Sequence, residues 1–261
     1  MGSNAISQTF RYVLHHRLAK GNKRVTKFFG GFSEAIIRWV FEGPVGQASR
    51  FFRHDYNVVD IVYKRAVERS ALIVEKHMHD AIGVRSKKEL WNYCANIADP
   101  SHVWLEFGVY RGTSINYLSR FCSRIYGFDS FEGLAEDWRG NSLAKGAFNL
   151  DGRLPKVGRN VTLVKGFFNE TLETFLVNKK NQRLGLVHLD CDTFDSTSYV
   201  LEHLGIQRLK GCVVIFDDFF GAPGFEMGQY RALNDLLKKN KKLKCSYLAY
   251  SRQSVAVMIN D

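Results

Sequence analysis

Hydrophobic positions take two textures along the chain. Up to about Ala98 they recur at helical spacing: Phe10, Val13, Leu14 and Leu18 share one face, and Val62, Ala66, Ile73 and Val74 fall in a long run without a recognisable cap. No strand signal stands out there. Beyond Asp99-Pro100-Ser101, short apolar runs alternate with helical stretches: Val103 to Phe107, Arg124 to Phe128, Val161 to Val164, Leu184 to Leu189 and Cys212 to Phe216. These predict five buried parallel strands. Leu243 to Tyr250 and Ser254 to Ile259 follow, separated only by Ser251-Arg252-Gln253, which predicts a closing antiparallel pair. The expected fold is α/β, a doubly wound and mostly parallel sheet over residues 99–261, preceded by a helical segment over residues 1–98.

A chain of 261 residues with 45% hydrophobic content is long enough for one sizeable α/β core with an added segment, which excludes a disordered or fibrous class. Its net charge is +11, and residues 1–70, with 12 basic and 5 acidic residues, hold +7 of it. A solvated basic face is the plain explanation, although such a segment also suits nucleic acid, anionic lipid or a phosphorylated substrate. The five cysteines, Cys94, Cys122, Cys191, Cys212 and Cys245, are odd in number and lack CxxC spacing, as expected in a reducing cytoplasm. No apolar run reaches the roughly 18 residues of a membrane span, and no secretory signal is apparent.

The first strand runs into Glu106-Phe107-Gly108-Val109-Tyr110-Arg111-Gly112-Thr113-Ser114, and Ile115, Leu118, Phe121 and Cys122 then give a helical apolar face. Gly108 and Gly112 let backbone approach a ligand closely, and the helix start offers free amides to a carboxylate or phosphate. The second strand ends at Asp129, 21 positions beyond Gly108, where an acid can accept both hydroxyls of a ribose. The glycine pattern is GxxxG rather than GxGxxG, and Glu106 precedes the turn, which favours S-adenosylmethionine over a dinucleotide. At the third strand, Gly166 with Phe167 and Phe168 is placed to flank an adenine, or to pack in the core.

Carboxylates gather at the ends of the next two strands, in His188-Leu189-Asp190-Cys191-Asp192 and Phe216-Asp217-Asp218-Phe219. Such a group needs a proton or a cation, and oxygen ligation suits Mg²⁺ or Ca²⁺ better than Zn²⁺. Asp192 and Asp195 also suit helix N-caps. His188 reads as a satisfied core histidine.

With those residues in view, Trp104 to Gly224 resembles the macrocin O-methyltransferase family of metal-dependent, S-adenosylmethionine-dependent sugar methyltransferases. Its landmarks here are WLEFGVYRGTS from Trp104, GFDSFEGLAEDW from Gly127, HLDCDTFDST from His188 and FDDFFGAPG from Phe216. The resemblance implies a seven-stranded sheet, cofactor contacts at Glu106, Gly108, Ser114 and Asp129, and a magnesium site at Asp190, Asp217 and Asp218. Tyr110, Gly112, Ser130, Gly166 and Phe167 complete the expected cofactor contacts. Departures from the family pattern are Ala135 for proline, Asp195 for serine and Gln229 near a glutamate position.

The expected activity is Mg²⁺-assisted methyl transfer from S-adenosylmethionine to a hydroxyl of a sugar or other polyhydroxylated small molecule. Asp190 is the candidate catalytic residue, with Asp190 or Asp192 as general base. The competing readings are an RNA methyltransferase, suggested by basic residues interleaved with Phe10, Tyr12, Phe28 and Phe29, and a non-catalytic membrane-surface or scaffold module, suggested by the basic amphipathic stretch Phe10 to Lys20. A small-molecule or saccharide acceptor is preferred to nucleic acid. A homo-oligomer in the cytoplasm, in contact with an anionic membrane surface at most, is the accompanying expectation.

Overall fold

A computed structural model describes residues 57–138, 143–180 and 182–260. The stretch Phe10 to Lys20 and the aromatic residues Phe28 and Phe29 lie outside them. From Asn57 onward the chain forms one compact unit, which begins earlier than the 98/99 boundary expected from the hydrophobic pattern.

The order is α1 (Val58–His77), β1 (Ile82–Gly83), α2 (Lys87–Ile97), β2 (Val103–Phe107), α3 (Thr113–Leu118), β3 (Ile125–Asp129), β4 (Val161–Lys165), α4 (Phe168–Asn178), β5 (Leu184–Leu189), α5 (Phe194–Leu204), α6 (Ile206–Leu209), β6 (Val213–Phe216), α7 (Gln229–Lys239), β7 (Lys244–Tyr250) and β8 (Val255–Asn260). The eight strands make one sheet in the order β1-β7-β8-β6-β5-β2-β3-β4. Every pairing is parallel except those of β8 with β6 and β7. The seven runs read from the hydrophobic pattern all form strands. The eighth, β1, pairs Ile82 and Gly83 with Ala249 and Tyr250 in a segment expected to be purely helical, and two exposed residues are too few to show a period.

Alternation along each strand sends Leu105, Phe107, Phe128, Val187, Leu189, Val214 and Phe216 to one face, where Leu172, Val200, Leu201 and Leu233 of α4, α5 and α7 cover them. The opposite face carries Trp104, Ile125, Leu186, Val213 and Ile215 under Leu90, Cys94, Ile115 and Leu118 of α2 and α3. Helices on both faces account for strands that read as continuous apolar runs. The packing of Leu90 and Cys94 also explains why α2 belongs with the sheet.

Caps set several boundaries. Asn57 accepts the Val59 N–H at 3.0 Å and supplies the start of α1 that the sequence did not reveal. Thr193, not Asp192 or Asp195, caps α5 by accepting from the Ser196 N–H at 3.2 Å, which leaves both acids free for other contacts. All five cysteines are unpaired. Among the described residues, no helix is long and apolar enough to cross a membrane.

Candidate functional site

After β2 the chain adds β3 and β4 on one side and then crosses to place β5 on the other, so β2 and β5 flank the switch point where the strand order reverses. A cavity of about 460 Å³ opens there, above the carboxyl ends of β2, β3 and β5. Gly108 and Tyr110 of the turn, Asp129 and Ser130 at the end of β3, Phe167 before α4, and Asp190 and Asp192 after β5 line it. Glu106, Gly112, Ser114 and Gly166, also expected at the cofactor, are not among its lining residues.

Asp129 fixes the shape of the turn. Its Oδ2 accepts the N–H groups of Val109 and Tyr110, both at 2.8 Å, and its Oδ1 accepts that of Phe131 at 2.7 Å. Each carboxylate oxygen has two lone pairs, so Oδ2 is filled and one lone pair, on Oδ1, remains for a ligand hydroxyl. Tyr110 has φ 47°, a left-handed conformation that the Asp129 contacts hold in place.

Glu106 lies beneath the cavity, fully buried, and accepts from Ser114 Oγ at 2.9 Å. Strand register sets it beside His188, whose Nδ1 is 3.0 Å from Glu106 Oε2. The other ring nitrogen, Nε2, is 3.5 Å from Asp217 Oδ1, an ion-pair distance without hydrogen-bond geometry. Asp217 in turn pairs with the ammonium of Lys87. Ser114, Glu106, His188, Asp217 and Lys87 thus form a polar chain crossing β2, β5 and β6. His188 is therefore held between two carboxylates and is more than a satisfied core residue. Burial alone would lower its pKa, but the close approach of the Asp217 carboxylate and the hydrogen bond and charge of Glu106 outweigh that and raise it to about 10. Burial likewise pushes Asp217 up, and His188 and Lys87 overcome it to hold the carboxyl below the usual range.

The expected metal ligands divide between two groups. One is His188, Asp190 and Asp217, and the other is Asp190, Asp192 and Asp218; in each, the potential ligand atoms lie within 4.8 Å of one another. Burial and mutual repulsion raise Asp192 to about 8 and Asp218 to about 6, and Asp190 is also raised well above its ordinary value. The second group is all oxygen, a donor set that fits Mg²⁺ or Ca²⁺. Asp192 reaches it through a tight three-residue turn: its φ is 60°, and the Thr193 N–H donates to the Cys191 carbonyl at 2.6 Å. Gln229 ties the edge together, its Oε1 accepting the Asp218 N–H and its Nε2 donating to the Leu189 carbonyl, both at 3.0 Å.

A second cavity, of about 180 Å³, opens beside the first and shares Glu136, Asp192 and Asp195 with it. Trp138, Phe194, Phe225 and Arg231 supply much of its wall. The Arg231 guanidinium lies 4.4 Å from the centre of the Phe194 ring.

The fold is similar to that of the calicheamicin methyltransferase CalS11, with a TM-score of 0.53 and 20% identity over 80% of this chain and 95% of that one. An apo structure of CalS11, described as a TDP-rhamnose 3'-O-methyltransferase, gives 0.48 and 18% over 80% and 97%. The O-methyltransferase NovP gives 0.47 and 18% over 67% and 80%. No curated protein sequence matches the chain. Residues 105–219 match the family model described as a methyltransferase domain, a span holding the glycine turn, Asp129 and the acid edge.

Proposed function

We propose that the chain transfers a methyl group from S-adenosylmethionine to a hydroxyl of a sugar or other polyhydroxylated small molecule, with a divalent cation assisting. The observation that carries this reading is the pair of adjoining cavities with Asp192 in their common wall. The larger, at the switch point, suits the cofactor, and the smaller, with aromatic faces and carboxylates, suits a polyol.

S-adenosylmethionine supplies an already activated methyl group. Gly108 gives the ligand access to backbone, Tyr110 and Phe167 offer ring surface, and Asp129 and Ser130 offer acceptors for hydroxyls. Asp190, Asp192 and Asp218 are the residues that would hold Mg²⁺, and the chemistry the ion would supply there is acidification of the acceptor hydroxyl. Asp192 Oδ takes up the acceptor proton. It is preferred over Asp190 for that task because it borders both cavities, whereas Asp190 borders the larger one alone.

Calorimetric titration of S-adenosylmethionine, followed by methyl-transfer assays on sugars and nucleotide sugars with Mg²⁺ or chelator, tests the reading. Binding with chelator-sensitive transfer to a hydroxyl is expected. Absence of cofactor binding would overturn the proposal, and transfer to RNA alone would replace its acceptor.

A further inference from the structure

Lys87 reaches the acid edge from a helix that lies outside the matched methyltransferase span. Three contacts fix its approach. β1 pairs with β7, the Val84 N–H donates to the Tyr250 carbonyl at 2.9 Å, and Ser86 caps α2 by accepting the Glu89 N–H at 3.2 Å. Glu89 closes the capping arrangement by accepting from the Arg85 N–H and from Ser86 Oγ. Lys87, the first residue of α2, is thereby held over Asp217. One turn on, Trp91 sets its ring edge-on to His188, with centroids 5.9 Å apart.

Asp217 is 2% exposed, and both of its carboxylate oxygens are engaged. Oδ2 pairs with Lys87, and Oδ1 faces His188 Nε2 and accepts from Ser254 Oγ at 3.2 Å. A carboxylate committed in this way to an ammonium and an imidazole is a poor ligand for a further cation. A fixed positive charge about 6 Å from a divalent ion weakens its binding by about tenfold even at the dielectric of water.

Resting on the reading that a divalent cation sits at the acid edge, we propose that Lys87 is a built-in competitor for that ion. It keeps Asp217 out of the ligand set and limits affinity at Asp190, Asp192 and Asp218. Lys87 is thus a positioning residue for the acid edge.

The test is Mg²⁺ titration of the full chain by calorimetry and by thermal shift, comparing the native protein with K87M and K87R. K87M is expected to bind Mg²⁺ at least about tenfold tighter, and K87R to match the native protein. K87Q removes the charge with a shorter polar side chain and gives the same comparison if K87M folds poorly. Tighter binding by K87M to a native protein that binds weakly supports both this inference and the cation reading. Binding by K87M alone supports this inference and removes cation assistance from the native chain. Equal or weaker binding by K87M overturns this inference and leaves the cation reading intact, and absence of binding in every form overturns both.

Discussion

A Cβ on Gly108 would stand 1.8 Å from the backbone oxygen of Asp190. The glycine turn after β2 and the acid edge after β5 are therefore in direct backbone contact, and the Asp190 N–H donates to the Phe107 carbonyl at 2.9 Å beside it. Neither loop can shift without the other. G108A must both adopt a φ of +90° and push the acid edge away, so a loss of about 3 kcal/mol or more is expected, with weakened S-adenosylmethionine binding. Gly146 is the control, since its φ is +83° but nothing lies within 4 Å of its Cβ position. G146A is expected to cost about 1–2 kcal/mol, the backbone penalty alone. Denaturant unfolding of both variants checks this, and equal losses would show that the close approach is not the constraint.

The Glu106–His188 pair separates structural from ligand-binding roles. E106Q keeps the shape but removes the charge that helps hold the imidazolium. The His188 pKa should therefore fall from about 10, as read by NMR titration. Breaking a fully buried pair is expected to cost about 3 kcal/mol of stability. Because Glu106 lies below the cavity, S-adenosylmethionine affinity should change by less than about tenfold, or 1.4 kcal/mol. A larger loss of affinity with stability preserved would make Glu106 a direct cofactor contact.

The sheet was legible because buried parallel strands are continuous apolar runs: Leu184 to Leu189 forms a strand over the whole predicted length. β1 was not, because Ile82 and Gly83 are exposed and owe their conformation to β7. At the site, strand-tip acids marked the edge, but their grouping depended on register and turns. Glu106 and His188 are 82 positions apart and meet only because β2 and β5 align them. Asp192 looked like a helix cap, and Thr193 takes that role instead. Lys87 had no local signal, since its partner Asp217 is 130 positions away.

The stability of the metal-free protein should depend on pH in a direction set by the acid edge. Folding raises Asp192 to about 8 and Asp218 to about 6 from 3.8, so the folded chain holds protons that the unfolded chain releases. Their contribution is present at low pH and is lost as pH rises through those values. His188, raised from 6.5 to about 10, acts in the same direction. Asp217, held below the usual range, works oppositely, but only as pH falls through that acidic window. In chelator, Tm should drop between about pH 6 and about pH 9, and Mg²⁺ should raise it more at the alkaline end, where its ligands are deprotonated. A Tm that rises with pH in chelator would contradict this account of the acid edge.

The smaller cavity offers the sharpest division of labour. Trp138 lines it without lining the larger one, so its ring can contact an acceptor while leaving the cofactor untouched. W138A is expected to lower kcat/KM for the acceptor by about 10- to 100-fold, mainly through KM, because a lost ring face removes binding rather than transition-state stabilisation. The S-adenosylmethionine Kd should stay unchanged. Arg231, stacked on Phe194 and 3.3 Å from Asp235 Oδ2, adds a second criterion. If the acceptor carries phosphate, R231A should penalise it far more than the matching neutral sugar, whereas equal penalties would confine Arg231 to supporting the Phe194 wall. A W138A variant with a raised S-adenosylmethionine Kd and an unchanged acceptor KM would exchange the roles of the two cavities.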